Sequence, residues 1–216
     1  MKRYSAAALI ISAAVALTAF TACGSKSKGG SDKPATAEEI KEPEIKVLDE
    51  TDFMECFLTD GGTNYLGMTI DEFNEKTDNV YVEKNAVEYD MDYDYAKYSY
   101  GELDSLFCGR AKFDVKLPVT VQFTYGDGKI KKITYIIDQG DVAAKSVSDS
   151  LSACLNENLP EDYKAEYDRP AQGKDSAVFA NTVDGYVFTV EHVDLDGSGY
   201  PVKMSLESYK DKYGME

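Results

Sequence analysis

The stretch "VTVQFTYGDGKIKKITYIID", residues 119–138, determines the architecture of this chain. Apolar and aromatic residues alternate with polar ones up to Tyr125, and alternation with a period of two is typical of a strand that buries one face. The segment from Gly126 to Gly128 supplies turn residues, and apolar residues return at Ile130. The pattern therefore predicts an antiparallel β-hairpin.

Two helices are predicted around this hairpin. Upstream, Thr69 followed three residues later by Glu72 forms a capping box, which predicts a short helix to about Thr77. Downstream, Asp141 is placed to cap a longer helix, which Pro160 stops because proline cannot continue a helix. The hairpin therefore lies between two helices along the chain.

Further strands follow the same rule of alternation. They are predicted in "FCGRAKFDVKL" (107–117), "AVFANT" (177–182), "YVFTVEHVDL" (186–195) and "YPVKMSLESY" (200–209). The order of helix, strands, helix, strands predicts an α+β fold in which antiparallel sheets are each packed with a helix. We place a first unit at 45–139, a second at 140–209 and a tail at 210–216. The pattern leaves open a tandem helix-plus-meander repeat or one continuous domain.

The N-terminus has the features of an export signal. Lys2 and Arg3 precede the uncharged run "AAALIISAAVALTAF", and "TAC" follows it. A basic start, an apolar middle and a small-residue cleavage site are typical of a secretory signal peptide. We assign residues 1–22 to this signal. Residues 23–44 are rich in Gly, Ser, Lys, Pro and Glu, which predicts a disordered tether because such a segment buries little apolar surface.

The residues at the predicted cleavage site resemble the lipobox of bacterial lipoproteins. "F-T-A-C" ends in Cys23, at the position where the family carries a diacylated cysteine that becomes the first residue of the mature chain. The resemblance implies that lipid on Cys23 anchors the protein to the cell membrane on its extracytoplasmic face. Each buried CH₂ of an acyl chain contributes about 0.8 kcal/mol to such an anchor.

The charge of the chain excludes one class of partner. The full sequence has 39 acidic and 23 basic residues, a formal net charge of −16, and removing residues 1–22 also removes Lys2 and Arg3. Phosphate backbones are repelled by a surface of this sign, and the sequence has no basic stripe to offset it. We therefore expect no nucleic-acid partner.

Three cysteines follow Cys23, namely Cys56, Cys108 and Cys154. An odd number allows at most one disulfide among them, with one thiol left over. Cys154 shares a helical face with Leu151 and Leu155, which predicts packing as a small apolar side chain. The spacings contain no C-x-x-C pair and build neither a redox site nor a zinc site.

The start of the first helix supports a second resemblance. "LGMTIDEF", with Gly67, Met68, Thr69 and Glu72, followed by an aromatic-rich meander, is similar to small lipoprotein modules of the SmpA/OmlA type and to their tandem relatives of the β-lactamase-inhibitor-protein type. The resemblance covers residues 66–135, and the second half departs from it with "GDVAAKS". It implies a non-catalytic protein-binding module on an envelope lipoprotein.

The segment "YDMDYDYAKYSY", residues 89–100, is the most unusual composition in the chain. Read as an extended strand, it places tyrosines on one side and acids on the other, and a bulge or turn near Ala96 and Lys97 accounts for the shift of phase before Tyr98. The tyrosines are then either core residues of a half-buried strand or an exposed aromatic binding surface. The candidate binding residues are Tyr89, Tyr93, Tyr95, Asp90, Asp92 and Asp94; the three acids also allow a weak Ca²⁺ site.

A second candidate for calcium lies at Asp194, Asp196 and Ser198. These residues match the first oxygen-ligand spacings of an EF-hand-like loop. Ser205 stands where the loop needs a bidentate acid, and the segment alternates like a strand. A hairpin turn is therefore the competing interpretation.

Catalysis has little support in the sequence. The single histidine, His192, continues the apolar face of a predicted strand, where a partly buried, hydrogen-bonded ring is expected rather than a general base. The mature region has no nucleophile, zinc-protease or phosphate-loop motif. We expect no enzyme and no cofactor. The sequence predicts a non-catalytic module that binds an envelope or extracellular protein; the alternative is a glycan- or Ca²⁺-binding surface on the Tyr/Asp segment.

Overall fold

The protein is described here by a computed structural model that covers residues 65–92, 94–168, 174–182, 185–193 and 200–215, all within one compact unit. The helices are α1 (Ile70–Lys76), α2 (Ala144–Asn158) and α3 (Tyr209–Tyr213), with a 3-10 turn at Glu83–Asn85. The strands are β1 (Glu88–Asp90), β2 (Tyr95–Leu106), β3 (Ala111–Gly126), β4 (Lys129–Ile137), β5 (Lys164–Asp168), β6 (Lys174–Ala180), β7 (Tyr186–Val193) and β8 (Val202–Ser208). The predicted α+β class with antiparallel strands is confirmed in this form.

The strands form one eight-stranded sheet in the order β1-β2-β3-β4-β8-β7-β6-β5. Each half of the chain contributes a helix followed by a four-stranded meander, and β4 pairs antiparallel with β8 from Lys132–Glu207 to Ile137–Val202. We expected a separate sheet with each helix. The two meanders instead share one sheet, and our unit boundary at residues 139 and 140 falls between β4 and α2.

The central hairpin forms where the sequence predicts it. Gly126 pairs with Lys129, so that Asp127 and Gly128 make a two-residue loop with φ angles of 54° and 70°. Positive φ at both positions is the requirement of the turn type that matches the twist of a hairpin. The long strand β3 starts only at Ala111, because the chain turns through the preceding residues of the predicted strand.

One face of the sheet is the core. A row of directly paired side chains crosses it through six strands, from Ala96 through Phe123, Ile133, Leu206 and Phe188 to Phe179. All six are almost completely buried. Because side chains alternate between faces, the opposite face carries a polar row of Gln122, Thr134, Ser205 and Thr189. The helix-facing side therefore supplies most of the hydrophobic stabilisation.

An aromatic cluster fixes α1 to this face. The ring of Phe123 lies 4.9 Å from that of Phe73 on α1, 5.2 Å from that of Tyr81 and 5.8 Å from that of Tyr98. The buried hydroxyl of Tyr98 donates a hydrogen bond to the Tyr81 carbonyl at 2.9 Å. Tyr98 is therefore a core residue with a satisfied hydroxyl, as the structural interpretation of the tyrosine-rich segment required.

The helix ends test the predicted caps. Thr69 and Glu72 form the capping box, with the Thr69 hydroxyl accepting from the Glu72 N–H and the Glu72 carboxylate accepting from the Thr69 N–H. The expected cap at Asp141 is wrong: the N-cap of α2 is Ala143, with no side-chain hydrogen bond, because a turn closed by Val142 N–H and the Gln139 carbonyl precedes the helix. Helix α2 ends before Pro160, as predicted.

The buried face of α2 contains Val147, Leu151, Cys154 and Leu155, which confirms the predicted helical face. Cys154 is 1% exposed and forms no disulfide. Burial raises the pKa of its thiol to about 11. Because the thiolate is the reactive form, this cysteine is chemically inert in the folded protein. No helix within the described ranges is long and apolar enough to cross a bilayer.

The end of the chain differs from its prediction at two points. Val202, Met204 and Leu206 are buried as their alternation predicts, but Tyr200 precedes β8 and is 55% exposed. The predicted tail begins inside α3, whose N-cap Ser208 accepts a hydrogen bond from the Asp211 N–H at 3.0 Å. A short capped helix therefore stands where the sequence offered no apolar periodicity.

Replacing the ring at the centre of the aromatic cluster should destabilise the fold strongly. We expect Phe123→Ala to lower the free energy of unfolding by about 3–5 kcal/mol, because it leaves a cavity among three aromatic rings. Val115→Ala, on a residue of the same strand that is 47% exposed, should change it by less than about 0.5 kcal/mol. Urea unfolding measures both, and equal losses would contradict this description of the core.

The Cys154 thiol should resist alkylation in the folded state. At pH 8 the thiolate fraction of a group whose pKa is about 11 is very small, and the side chain is buried. Peptide mass spectrometry after treatment with iodoacetamide should find Cys154 unmodified in native protein and modified in urea. Modification at the same rate in both conditions would show that α2 is not packed as described.

Candidate functional site

The tyrosine- and aspartate-rich segment forms a β-hairpin at one end of the sheet. Asp90 at the end of β1 pairs with Tyr95 at the start of β2, and the chain reverses between them. Asp94 has a φ of 49°, in the left-handed region that tight turns use. The bulge or turn predicted near Ala96 and Lys97 is therefore misplaced, because the chain reverses before Tyr95 and both residues lie within β2. Register shifts in β2 occur farther along, between Ser99 and Gly101 and between Leu103 and Ser105.

This turn places the predicted binding residues on different surfaces. Tyr89 pairs with Ala96 and so lies on the helix-facing side, whereas Tyr95 projects from the opposite face. Tyr89 and the exposed acids Asp92 and Asp94 are accessible, and Asp90 and Tyr95 are half-buried. Tyr93, Cys23, Asp194, Asp196 and Ser198 lie outside the described residues. The segment thus contains both core and accessible tyrosines rather than one kind.

A polar network holds the base of the hairpin. Lys97 donates to Glu88 at 2.7 Å, the Tyr95 hydroxyl donates to the other oxygen of the same carboxylate, and the Lys97 ammonium lies 5.1 Å from the centre of the Tyr95 ring. The hydrogen bond from Lys97, followed by that from Tyr95, lowers the pKa of Glu88. The two strands are therefore joined through side chains as well as through backbone pairing.

Three apolar side chains project from the outer strand of this hairpin. Val87, Tyr89 and Met91 alternate along the chain and are 63%, 41% and 74% exposed. We call these three residues the edge patch. The Val87 N–H donates to the Lys97 carbonyl, so the strand is fixed where the patch begins. Within the described residues β1 is an end strand of the sheet, and exposed apolar residues at such an edge are unusual because they invite pairing with another chain.

The acids of the hairpin do not converge on a common point. Asp90 accepts a hydrogen bond from the Asp92 N–H at 2.9 Å, so one of its oxygens serves the turn. Among the described residues, no group of three or more His, Cys, Asp or Glu side chains is arranged to hold a metal ion. The exposed carboxylates of Asp92 and Asp94 follow the edge patch along the chain and add negative charge to the turn.

His192 lies where the sequence placed it but is not hydrogen-bonded as expected. It is 7% exposed on β7, on the face of Phe188 and Val190, which confirms its burial. Its Nε2 atom is buried without a hydrogen-bond partner, and the nearest carboxylate oxygen, from Asp175, is 3.7 Å away. The sequence could not reveal this pair, because the two residues meet only through the register of β6 and β7.

No family model matches the chain, and neither the curated proteins nor the solved structures compared with it yield a match. The functional evidence is therefore the geometry itself. Sequence reasoning found Tyr89 and the acids but did not single out Val87. Val87, Tyr89 and Met91 are spaced two residues apart, as residues on one face of a strand are. This spacing was the signal that could have identified the edge patch.

The network at the base of the hairpin makes a measurable prediction about Glu88. Removing the ammonium in Lys97→Met should raise the pKa of the Glu88 carboxyl toward the ordinary range of glutamate, because its charged form loses a hydrogen bond and a neighbouring positive charge. NMR titration of the side-chain carboxyl signal measures the shift. Lys116→Met, at an exposed position of β3, is the matched control and should leave Glu88 unchanged. An identical pKa in both variants would contradict the described network.

Proposed function

We propose that the protein is a membrane-anchored, extracytoplasmic lipoprotein that acts as a non-catalytic protein-interaction module. The basic and apolar N-terminus with its lipobox-like "F-T-A-C" supports an anchor at Cys23 on the cell membrane. The tether at residues 23–44 then connects the folded unit to that anchor. The partner in this proposal is another envelope or extracellular protein.

The edge patch is the observation that carries the proposal. Val87, Tyr89 and Met91 expose apolar surface at the end of a sheet, where natural proteins normally place charge or cover. Tyrosine and methionine are enriched in protein interfaces, since a rigid ring and a flexible thioether both give large contact areas. A partner strand or loop that covers the patch would bury this surface.

The hairpin is also prepared for binding. Glu88, Lys97 and Tyr95 hold its two strands together, and buried Ala96 and Tyr98 fix β2 to the core. A surface that is rigid before binding loses less conformational entropy when a partner docks. The acids at the turn add negative charge beside the patch, which favours a partner with basic residues and disfavours nucleic acid.

The arrangement of the two halves supports the tandem interpretation. Each half is a helix followed by a four-stranded meander, and the last strands of the two meanders pair in the middle of the sheet. A duplicated unit would have this order, which is also what the resemblance to tandem modules of the β-lactamase-inhibitor-protein type implies. We propose that the chain is such a repeat.

The second candidate, a glycan- or Ca²⁺-binding surface on the hairpin, is less well supported. Asp90 is engaged by the Asp92 N–H, and the described acids are not grouped for a cation. An apolar patch bordered by acids fits a protein surface better than a sugar or a bare ion.

Site-specific photo-crosslinking tests the interaction module. The full-length protein, expressed in its own membrane, would carry a photoreactive phenylalanine at position 91 or, as a control, at exposed position 115. We expect a discrete crosslinked species at 91 that is absent at 115, and its loss when Tyr89→Ser and Val87→Ser are added to the chain labelled at 91. Ultraviolet irradiation followed by immunoblotting and mass spectrometry reads this out.

Two results would contradict the proposal. The first is the same crosslinking pattern from positions 91 and 115, which would mean random collisions. The second is no crosslinked species at 91 while circular dichroism shows the labelled protein folded. A soluble, unacylated product that fractionates away from the membrane would separately reject the anchor at Cys23.

A further inference from the structure

A small cleft lies between α2 and the strands β6 and β7, on the half of the sheet that does not carry the edge patch. Its volume is about 160 Å³. The side of α2 contributes Lys145, Ser148, Asp149 and Ser152, and the strands contribute Asp175, Ser176, Ala177, Val190 and His192. At about 30 Å³ per water molecule in the liquid, the cleft has room for a group the size of one small ring.

His192 is the group in this cleft that points to a ligand. The residue is 7% exposed, and its buried Nε2 atom has no hydrogen-bond partner. Leaving a buried polar atom unsatisfied forfeits its hydrogen bonds to water without replacing them, so natural proteins rarely do so without a reason. The Asp175 Oδ2 atom at 3.7 Å is too far for a direct hydrogen bond but is close enough to share a partner with Nε2.

The other polar groups of the cleft are mixed in charge and in hydrogen-bonding role. Lys145 and Asp149 neutralise each other at 2.6 Å, one helical turn apart. The Ser148 hydroxyl donates its proton to the Lys145 carbonyl at 3.0 Å and keeps its oxygen lone pairs as acceptors. Hydrogen-bond donors and acceptors therefore lie side by side in the cleft. This arrangement does not suit a charged ligand or a ligand that can only donate or only accept hydrogen bonds.

We propose that this cleft binds a polyhydroxylated ligand, such as one ring of a sugar, through a hydroxyl group placed between His192 and Asp175. A hydroxyl both donates and accepts, so it can accept from the Nε2–H of the neutral imidazole while donating its single proton to the carboxylate. An oxygen about 2.8 Å from both atoms fits their separation. Ala177 and Val190 offer apolar surface to the C–H groups of the ligand.

Two other occupants fit the cleft less well. A metal ion lacks a sufficient group of ligands among the described residues. Nucleophilic catalysis by serine would need a hydroxyl hydrogen-bonded to the imidazole, whereas Nε2 has no such partner and Ser148 donates to the helix backbone. The site belongs to a binding function that is independent of the edge patch.

The single histidine of the sequence makes the test direct. The imidazole signals of His192 in the folded, full-length protein in detergent need no assignment, and ¹⁵N NMR follows Nε2 specifically. The probes are glycerol, myo-inositol, methyl α-glucopyranoside, methyl α-mannopyranoside and N-acetylglucosamine, each titrated to 100 mM. Tetrahydropyran, a ring without hydroxyl groups, and butylammonium chloride are the controls.

The proposal expects a saturable shift of the Nε2 signal with at least one polyol and with neither control. Asp175→Asn should weaken that binding at least tenfold with the imidazole still present as reporter, and Glu102→Gln, at an exposed acid of β2, should not change it. Circular dichroism confirms that each variant is folded.

Three outcomes would overturn the proposal: no saturable shift with any polyol, equal shifts with tetrahydropyran or butylammonium, or unchanged affinity in folded Asp175→Asn. None of these outcomes bears on the edge patch.

Discussion

The pairing of β4 with β8 is the constraint on which the rest of the structure depends. It joins the first meander, β1 to β4, to the second, β5 to β8, in one sheet. It also places Ile133 opposite Leu206 in the middle of the core row. The edge patch lies on the β1 side of this junction and the His192 cleft on the other. One sheet therefore supports two candidate binding sites that share no residue.

Local features of the fold could be predicted from the sequence, and long-range ones could not. The capping box at Thr69 and the hairpin at Asp127 and Gly128 depend on residues a few positions apart, so both can be predicted from the residue types in a short segment. The cap at Asp141 was misplaced because a turn before the helix is not distinguishable from a helix start by residue type alone. The junction of β4 with β8 depends on register between distant segments, which periodicity does not encode.

In the candidate site, too, the local features could be predicted from the sequence and the long-range ones could not. Composition identified the Tyr/Asp segment, but its alternation is that of a strand, and only the backbone reveals the reversal before Tyr95. Tyr98 then belongs to the core, whereas Tyr89 is accessible, so the tyrosines of the segment do not share one environment. His192 was correctly expected to be buried. Its unsatisfied Nε2 atom faces Asp175 across the pairing of β6 with β7, which could not be anticipated from the sequence.

The junction also constrains how the chain reaches its native state. Lys132 and Glu207 are 75 residues apart, so β4 is synthesised well before the strand that covers its edge. Closing so long a loop is slow relative to forming local hairpins, and an uncovered edge is a template for aggregation. The first meander must therefore remain soluble until β8 is available to cover the edge of β4. The lysines of β4, Lys129, Lys131 and Lys132, place on that temporary edge the kind of charge that discourages pairing with the wrong strand.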